Sequence, residues 1–125
     1  MTIVTSQEIA RFRSLLADYP PALEALDLIE DCEGDLEDAA MTLAIRIGQE
    51  PGAENSEWLD SLAKKWRAVI CQAEFREDLV NANFQGIMMY LQQISSFPKF
   101  LAAPILIYAF KQGWNNFCQP LDTIK

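Results

Sequence analysis

Apolar residues recur along this chain at helical intervals, and polar clusters with glycine or proline break the pattern into segments. Thr5-Ser6-Gln7-Glu8 has the spacing of a capping box, and Ile9, Phe12, Leu16 and Tyr19 then mark one apolar face of a first helix. Pro20-Pro21 is read as its end. A second helix is expected from about Ala22 to Cys32, presenting Leu23, Leu26 and Ile29. A third follows Asp35, with Leu36, Ala39, Ala40, Leu43 and Ile47 inward, and stops at Gly48. Between them Gly34 suits the left-handed turn that closes one helix, and Asp35 suits the cap that opens the next. On that geometry alone Gly34→Val is expected to cost about 1–2 kcal/mol.

Gly48 to Asn55 holds Pro51, Gly52 and several polar residues and reads as a hinge or boundary. Beyond it Ser56 is a candidate cap for a long amphipathic helix with Trp58, Leu59, Leu62, Trp66, Val69 and Ile70 on one side. A short helix over Glu74–Asn81 follows, then one opened by Asn83 with Phe84, Ile87, Met88, Leu91 and Ile94 inward. The last helix is expected from about Lys99 to Cys118. Around Ile105–Ile107 it has no polar side, which predicts the central helix of the fold, with Pro104 kinking it or marking its true first turn. No strand signal competes. The expected fold is all-α, with one module in residues 1–48 and a three- to four-helix unit in 56–125 packed against it, in a chain short enough for the two to form one compact domain.

The first module resembles a known family. A helix, a short turn, a second helix ending in acid-Gly-Asp, and a third helix carrying Leu36, the Ala39-Ala40 pair and Leu43 resemble the ubiquitin-associated (UBA-like) three-helix fold over Ser6–Ile47. That group includes ubiquitin-binding modules and the amino-terminal module of bacterial elongation factor Ts. Where ubiquitin binders carry a Met-Gly-Phe/Tyr loop, this chain has Ala17-Asp18-Tyr19-Pro20-Pro21, in which Tyr19 alone matches the aromatic member. Ubiquitin binding is therefore not expected, and residues 56–125 hold nothing like the exchange core of elongation factor Ts. In composition and layout the whole chain also resembles short proteins of cyanobacteria, a likeness that implies no activity.

Charge narrows the function classes. The net charge of −8 is lopsided: residues 1–55 hold twelve acids and three bases, residues 56–125 six acids and seven bases. Lys64-Lys65-Trp66-Arg67 is the one basic stretch, which argues against nucleic-acid binding through phosphates and reads as a solvated helix face. The acids from Glu24 to Asp38 do not make an EF-hand, because placing Gly34 at its sixth position puts Ile29 first and Ala40 last. Asp35, Glu37 and Asp38 suit a helix start, whereas Glu30, Asp31 and Glu33 sit near a helix end, where negative charge is unfavourable. That misplacement marks Glu30, Asp31 and Glu33 as candidate partner-binding residues, and the resemblance adds Tyr19 as the match to the aromatic member of the loop.

The chain has no histidine, which removes the commonest general base and imidazole metal ligand. No catalytic residue, metal site or cofactor is expected. The longest apolar run, Phe100–Phe110, is interrupted by Pro104 and falls short of the roughly 20 residues that span a bilayer. With no secretory signal visible in Met1–Ser6 and with Cys32, Cys71 and Cys118 lacking a Cys-x-x-Cys pair, a cytoplasmic protein with three reduced thiols is expected. Its expected work is binding another protein, one with a basic surface, as an adaptor, assembly or regulatory factor. The alternative is a helical pocket for an apolar small molecule or pigment, lined by Trp58, Trp66, Trp114, Met88 and Met89.

Overall fold

The computed structural model describes residues 2–48 and 55–122, and their ordered elements are helical. In chain order these are α1 (Ser6–Leu15), α2 (Pro20–Asp31), α3 (Leu36–Arg46), α4 (Asn55–Lys65), α5 (Arg67–Ile70), α6 (Ala73–Val80), α7 (Gln85–Gln92), a 3₁₀ turn (Lys99–Leu101), α8 (Ala102–Gln112) and α9 (Trp114–Asp122). The only extended pairing among the described residues is an isolated bridge between Ile3 and Asp35.

The capping box at the start of α1 is formed. Thr5 Oγ1 accepts from the Glu8 amide at 3.1 Å, and Glu8 Oε1 accepts from the Thr5 amide at 2.9 Å. Helix α1 closes at Leu15, however, and Pro20-Pro21 open α2 instead of ending α1. A proline at the first helical positions loses no hydrogen bond, since those amides lack an intrahelical acceptor anyway. Ser56 falls inside α4 and does not precede it. The expected hinge covers 49–54, which lie outside the described residues.

Two expected long helices are each broken. The fourth stops at Lys65 and resumes at Arg67, with Trp66 turned out of helical geometry and its ring edge-on to Phe97 at 4.9 Å. The last is divided at Gly113, whose φ of +89° is a conformation that favours glycine. Pro104 is the third residue of α8, in its first turn.

Helix α8 is central, as its lack of a polar side implied. Every residue from Ala102 to Ala109 is buried, and α2, α3, α4 and α9 all contact the helix. Each fully buried Leu or Ile in it contributes roughly 1.5–3 kcal/mol relative to exposure. The core is continuous between the two expected units: Phe12 of α1 stacks on Phe84 (5.8 Å between centroids) and meets Phe110 of α8 edge-on (5.5 Å).

The expectation of three reduced thiols is corrected. Cys71, just past α5, is joined to Cys118 of α9 by a disulfide. The two are 47 residues apart in sequence, and only tertiary packing of α5 on α9 brings them together. Cys32 keeps its thiol. Burial, followed by the nearby carboxylates of Asp38, Asp35 and Asp31, pushes its pKa up and makes it a poor nucleophile at neutral pH.

Glu8 also ties the chain's two halves together, since Lys111 Nζ at the end of α8 lies 2.8 and 3.0 Å from its carboxylate oxygens. Burial opposes the charge on Glu8, but hydrogen bonds from Lys111 and Thr5 outweigh it and hold the carboxyl below its ordinary value of 4.5. A lowered carboxylate pKa contributes stability that is complete above the unfolded value and lost as pH falls through the folded one. Glu8→Gln, which preserves the cap, should cost about 1 kcal/mol at neutral pH. In chemical unfolding followed against pH, this difference should shrink below pH 4.5. A gap of constant size down to full acidification would show that the charge plays no part.

Candidate functional site

The acidic surface is built around the corner between α2 and α3. Helix α2 ends at Asp31 and is capped by Cys32, after which Glu33 (φ +56°) and Gly34 (φ +87°) both take left-handed conformations, and the Gly34 amide returns to the Ile29 carbonyl at 2.8 Å. Asp35 then caps α3 by accepting from the Asp38 amide at 3.1 Å. The expected helical corner is thus present.

A feature the sequence did not announce is the extended segment Thr2–Val4, which lies along this corner. The Val4 amide donates to the Gly34 carbonyl (2.9 Å), and the Leu36 amide donates to the Thr2 carbonyl (3.0 Å). Glu37, only 5% exposed, accepts from the Thr2 amide at 2.7 Å and the Thr2 hydroxyl at 2.6 Å. So Glu37, which the sequence placed at a helix start to suit the dipole, also clamps the strap.

Strap and corner enclose an open groove of about 340 Å³, lined by Ile3, Val4, Thr5, Ser6, Ile9, Glu30, Glu33 and Gly34. Ile3 is 42% exposed on it, so the groove joins an apolar wall to two acids. Asp31 is exposed at the end of α2 and does not line it. Arg13 of α1 reaches across to Asp27 and Glu30, at 2.6 Å to each. Part of the acidic run therefore has a cationic partner that lies 14 and 17 positions away, out of reach of a local reading.

Tyr19 is elsewhere. It precedes the first turn of α2, and the rise of an α-helix puts it about 16 Å along the axis from Glu30. It lines a separate groove of about 370 Å³ with Asp18, Pro20, Pro21, Met89, Gln92 and Gln93. Burial and the charge of Asp18 raise its phenol pKa. The four candidate residues are therefore not one site. Of the residues considered for an apolar pocket, Met88 is buried, Trp114 packs on Phe84 (6.3 Å), Trp66 packs on Phe97, and Met89 is exposed in the Tyr19 groove.

Among the described residues no three cysteines or carboxylates converge on a point that would hold a metal ion, and no helix is long and apolar enough to cross a membrane. Comparison of the chain with family models, with curated proteins and with solved structures returns no match.

Proposed function

We propose that this chain is a non-enzymatic protein-binding module, an adaptor, assembly or regulatory factor, whose partner presents a basic segment with an apolar anchor. The observation that carries this reading is the groove lined by exposed Ile3 together with Glu33 and with Glu30, which Arg13 also holds, in a half of the chain with twelve acids against three bases. Acids on such a rim speed the encounter with a basic partner, while the apolar wall supplies burial once contact is made. Within this proposal α1–α3 form a UBA-like unit. Support comes from the Gly34 corner and from Ala39 and Ala40, whose small buried side chains let α3 approach its neighbours closely. Ubiquitin is not the proposed partner, because the loop at Tyr19 lacks the Met-Gly pair. Nucleic acid is not proposed either, given the acidic balance. A cytoplasmic location is not part of the proposal, because the Cys71–Cys118 disulfide is a kind of bond that the glutathione of the cytosol keeps reduced.

The test compares affinity capture from the native host by the wild-type chain and by Glu30→Lys/Glu33→Lys, with captured proteins identified and their association rates measured in low and high salt. The expected result is a basic protein retained by the wild type, with association slowed by about tenfold or more in the reversed variant at low salt. Capture of the same proteins at the same rates by both chains would overturn the reading.

A further inference from the structure

A second polar recess lies on the opposite charge background, where α4, α5, α8 and α9 meet. It is lined by Asp60 and Lys64 of α4, Arg67 of α5, Tyr108 and Gln112 of α8, and Asn116 and Phe117 of α9, and encloses about 150 Å³. Both carboxylate oxygens of Asp60 are already engaged: Oδ1 accepts from the Tyr108 hydroxyl at 2.5 Å, and Oδ2 lies 2.7 Å from Lys64 Nζ. Asp60 is therefore satisfied by its own neighbours. Arg67 is not. Its guanidinium lies over the Phe117 ring at 4.9 Å, and its Nε is buried without a hydrogen-bond partner. Among the described residues no carboxylate lies within ion-pairing distance of it, and the Asp60 charge in the same recess attracts it only through space.

The recess thus holds two cations and one carboxylate, with an orphaned charged donor and two side-chain amides, in a chain whose net charge is −8. A buried guanidinium N–H without an acceptor is costly, and an oxyanion is a group that can remove this cost. We propose that this recess binds a single oxyanion, the carboxylate or phosphate of a small ligand, with Arg67 as its principal contact and Lys64, Gln112 and Asn116 around it. The space suits a headgroup alone: it has room for about five waters, and drug-sized sites are about 300 Å³ or larger. The rest of such a ligand remains outside, at the mouth formed by Gln112 and Asn116, both exposed. This gives the basic stretch Lys64–Arg67 a role that a solvated helix face leaves unfilled. It is independent of the groove at Ile3, Glu30 and Glu33.

The test is an NMR titration of the full oxidised chain with sodium phosphate and with sodium acetate, each against sodium chloride at matched ionic strength. The expected result is a saturable shift of the Arg67 Nε–H signal and of the Asn116 side-chain amide with at least one of the two oxyanions, and none with chloride. Saturation by phosphate alone or by acetate alone names the group. Arg67→Gln should weaken binding by about tenfold or more. Asn116→Asp adds a carboxylate on an exposed position and should do likewise in a fold that is undisturbed, whereas Lys99→Gln, outside the recess, should leave the titration unchanged. Shifts that rise linearly and equally in all three salts would overturn the proposal. So would saturation that survives both recess variants.

Discussion

Opening the Cys71–Cys118 bond is expected to cost about 4 kcal/mol, the chain entropy regained when a closed loop of 47 residues is released. Total stabilities of single domains lie near 5–15 kcal/mol, so a loss of about that size removes a large share. Urea unfolding with and without reductant, and of a Cys71→Ser/Cys118→Ser variant, should show the midpoint falling by about 2–3 M. Cys32 is a built-in control, since its thiol is unpaired in both conditions. Identical midpoints would mean that the loop carries no constraint in solution.

The second large effect is at Gly34. The conformation alone predicts about 1–2 kcal/mol for a branched replacement. The structure raises that figure, because a Cβ at this position would sit 2.6 Å from the Val4 carbonyl oxygen, a backbone atom that cannot swing aside. Relieving the clash pushes the strap outward and loses the bonds from Val4 to Gly34 and from Leu36 to Thr2, each contributing about 1 kcal/mol. Gly34→Val is therefore expected to cost about 3–4 kcal/mol in total. Amide exchange at Val4 and Leu36 should accelerate in the same variant. A melt at the wild-type temperature with those amides still protected would refute the fit of strap to corner.

Local rules were enough for much of this fold. Thr5 with Glu8, Gly34 with Asp35, and the unbroken apolar character of Ile105–Ile107 each carry their meaning within a few residues, and each is found as read. The misreadings share a physical origin. Apolar periodicity runs straight through Trp66, where no glycine or proline marks the break, and the indole ring instead turns toward Phe97, 31 positions later. At Gly113 the breaker was in plain view, but the spacing of Phe110, Trp114 and Phe117 imitates one continuous face. Pro20-Pro21 carries a signal with two meanings, since proline both stops one helix and starts another.

The sites were less legible than the helices because their parts come from distant positions. The acids at Glu30 and Glu33 stood out as a run, yet the Ile3 wall beside them and the Arg13 clamp on Glu30 arise from α1 and the strap before it. Arg67 and Phe117 stand 50 positions apart, so neither basic patterning nor aromatic spacing links them. Likewise the bond between Cys71 and Cys118 has no spacing signature, only the contact of two helices.

That bond also changes what the word fragment means for this molecule. The loop it closes contains α6, α7 and the wholly buried run of α8. Cleavage of one peptide bond anywhere between Cys71 and Cys118, for instance in the exposed turn at Asn81 or Asn83, releases nothing. The nicked protein remains a single covalent body, gaining only the mass of a water, and separates into two pieces on reduction. Its backbone between the two cysteines behaves as a ring, so new chain ends can be opened there while every helix stays attached to the rest.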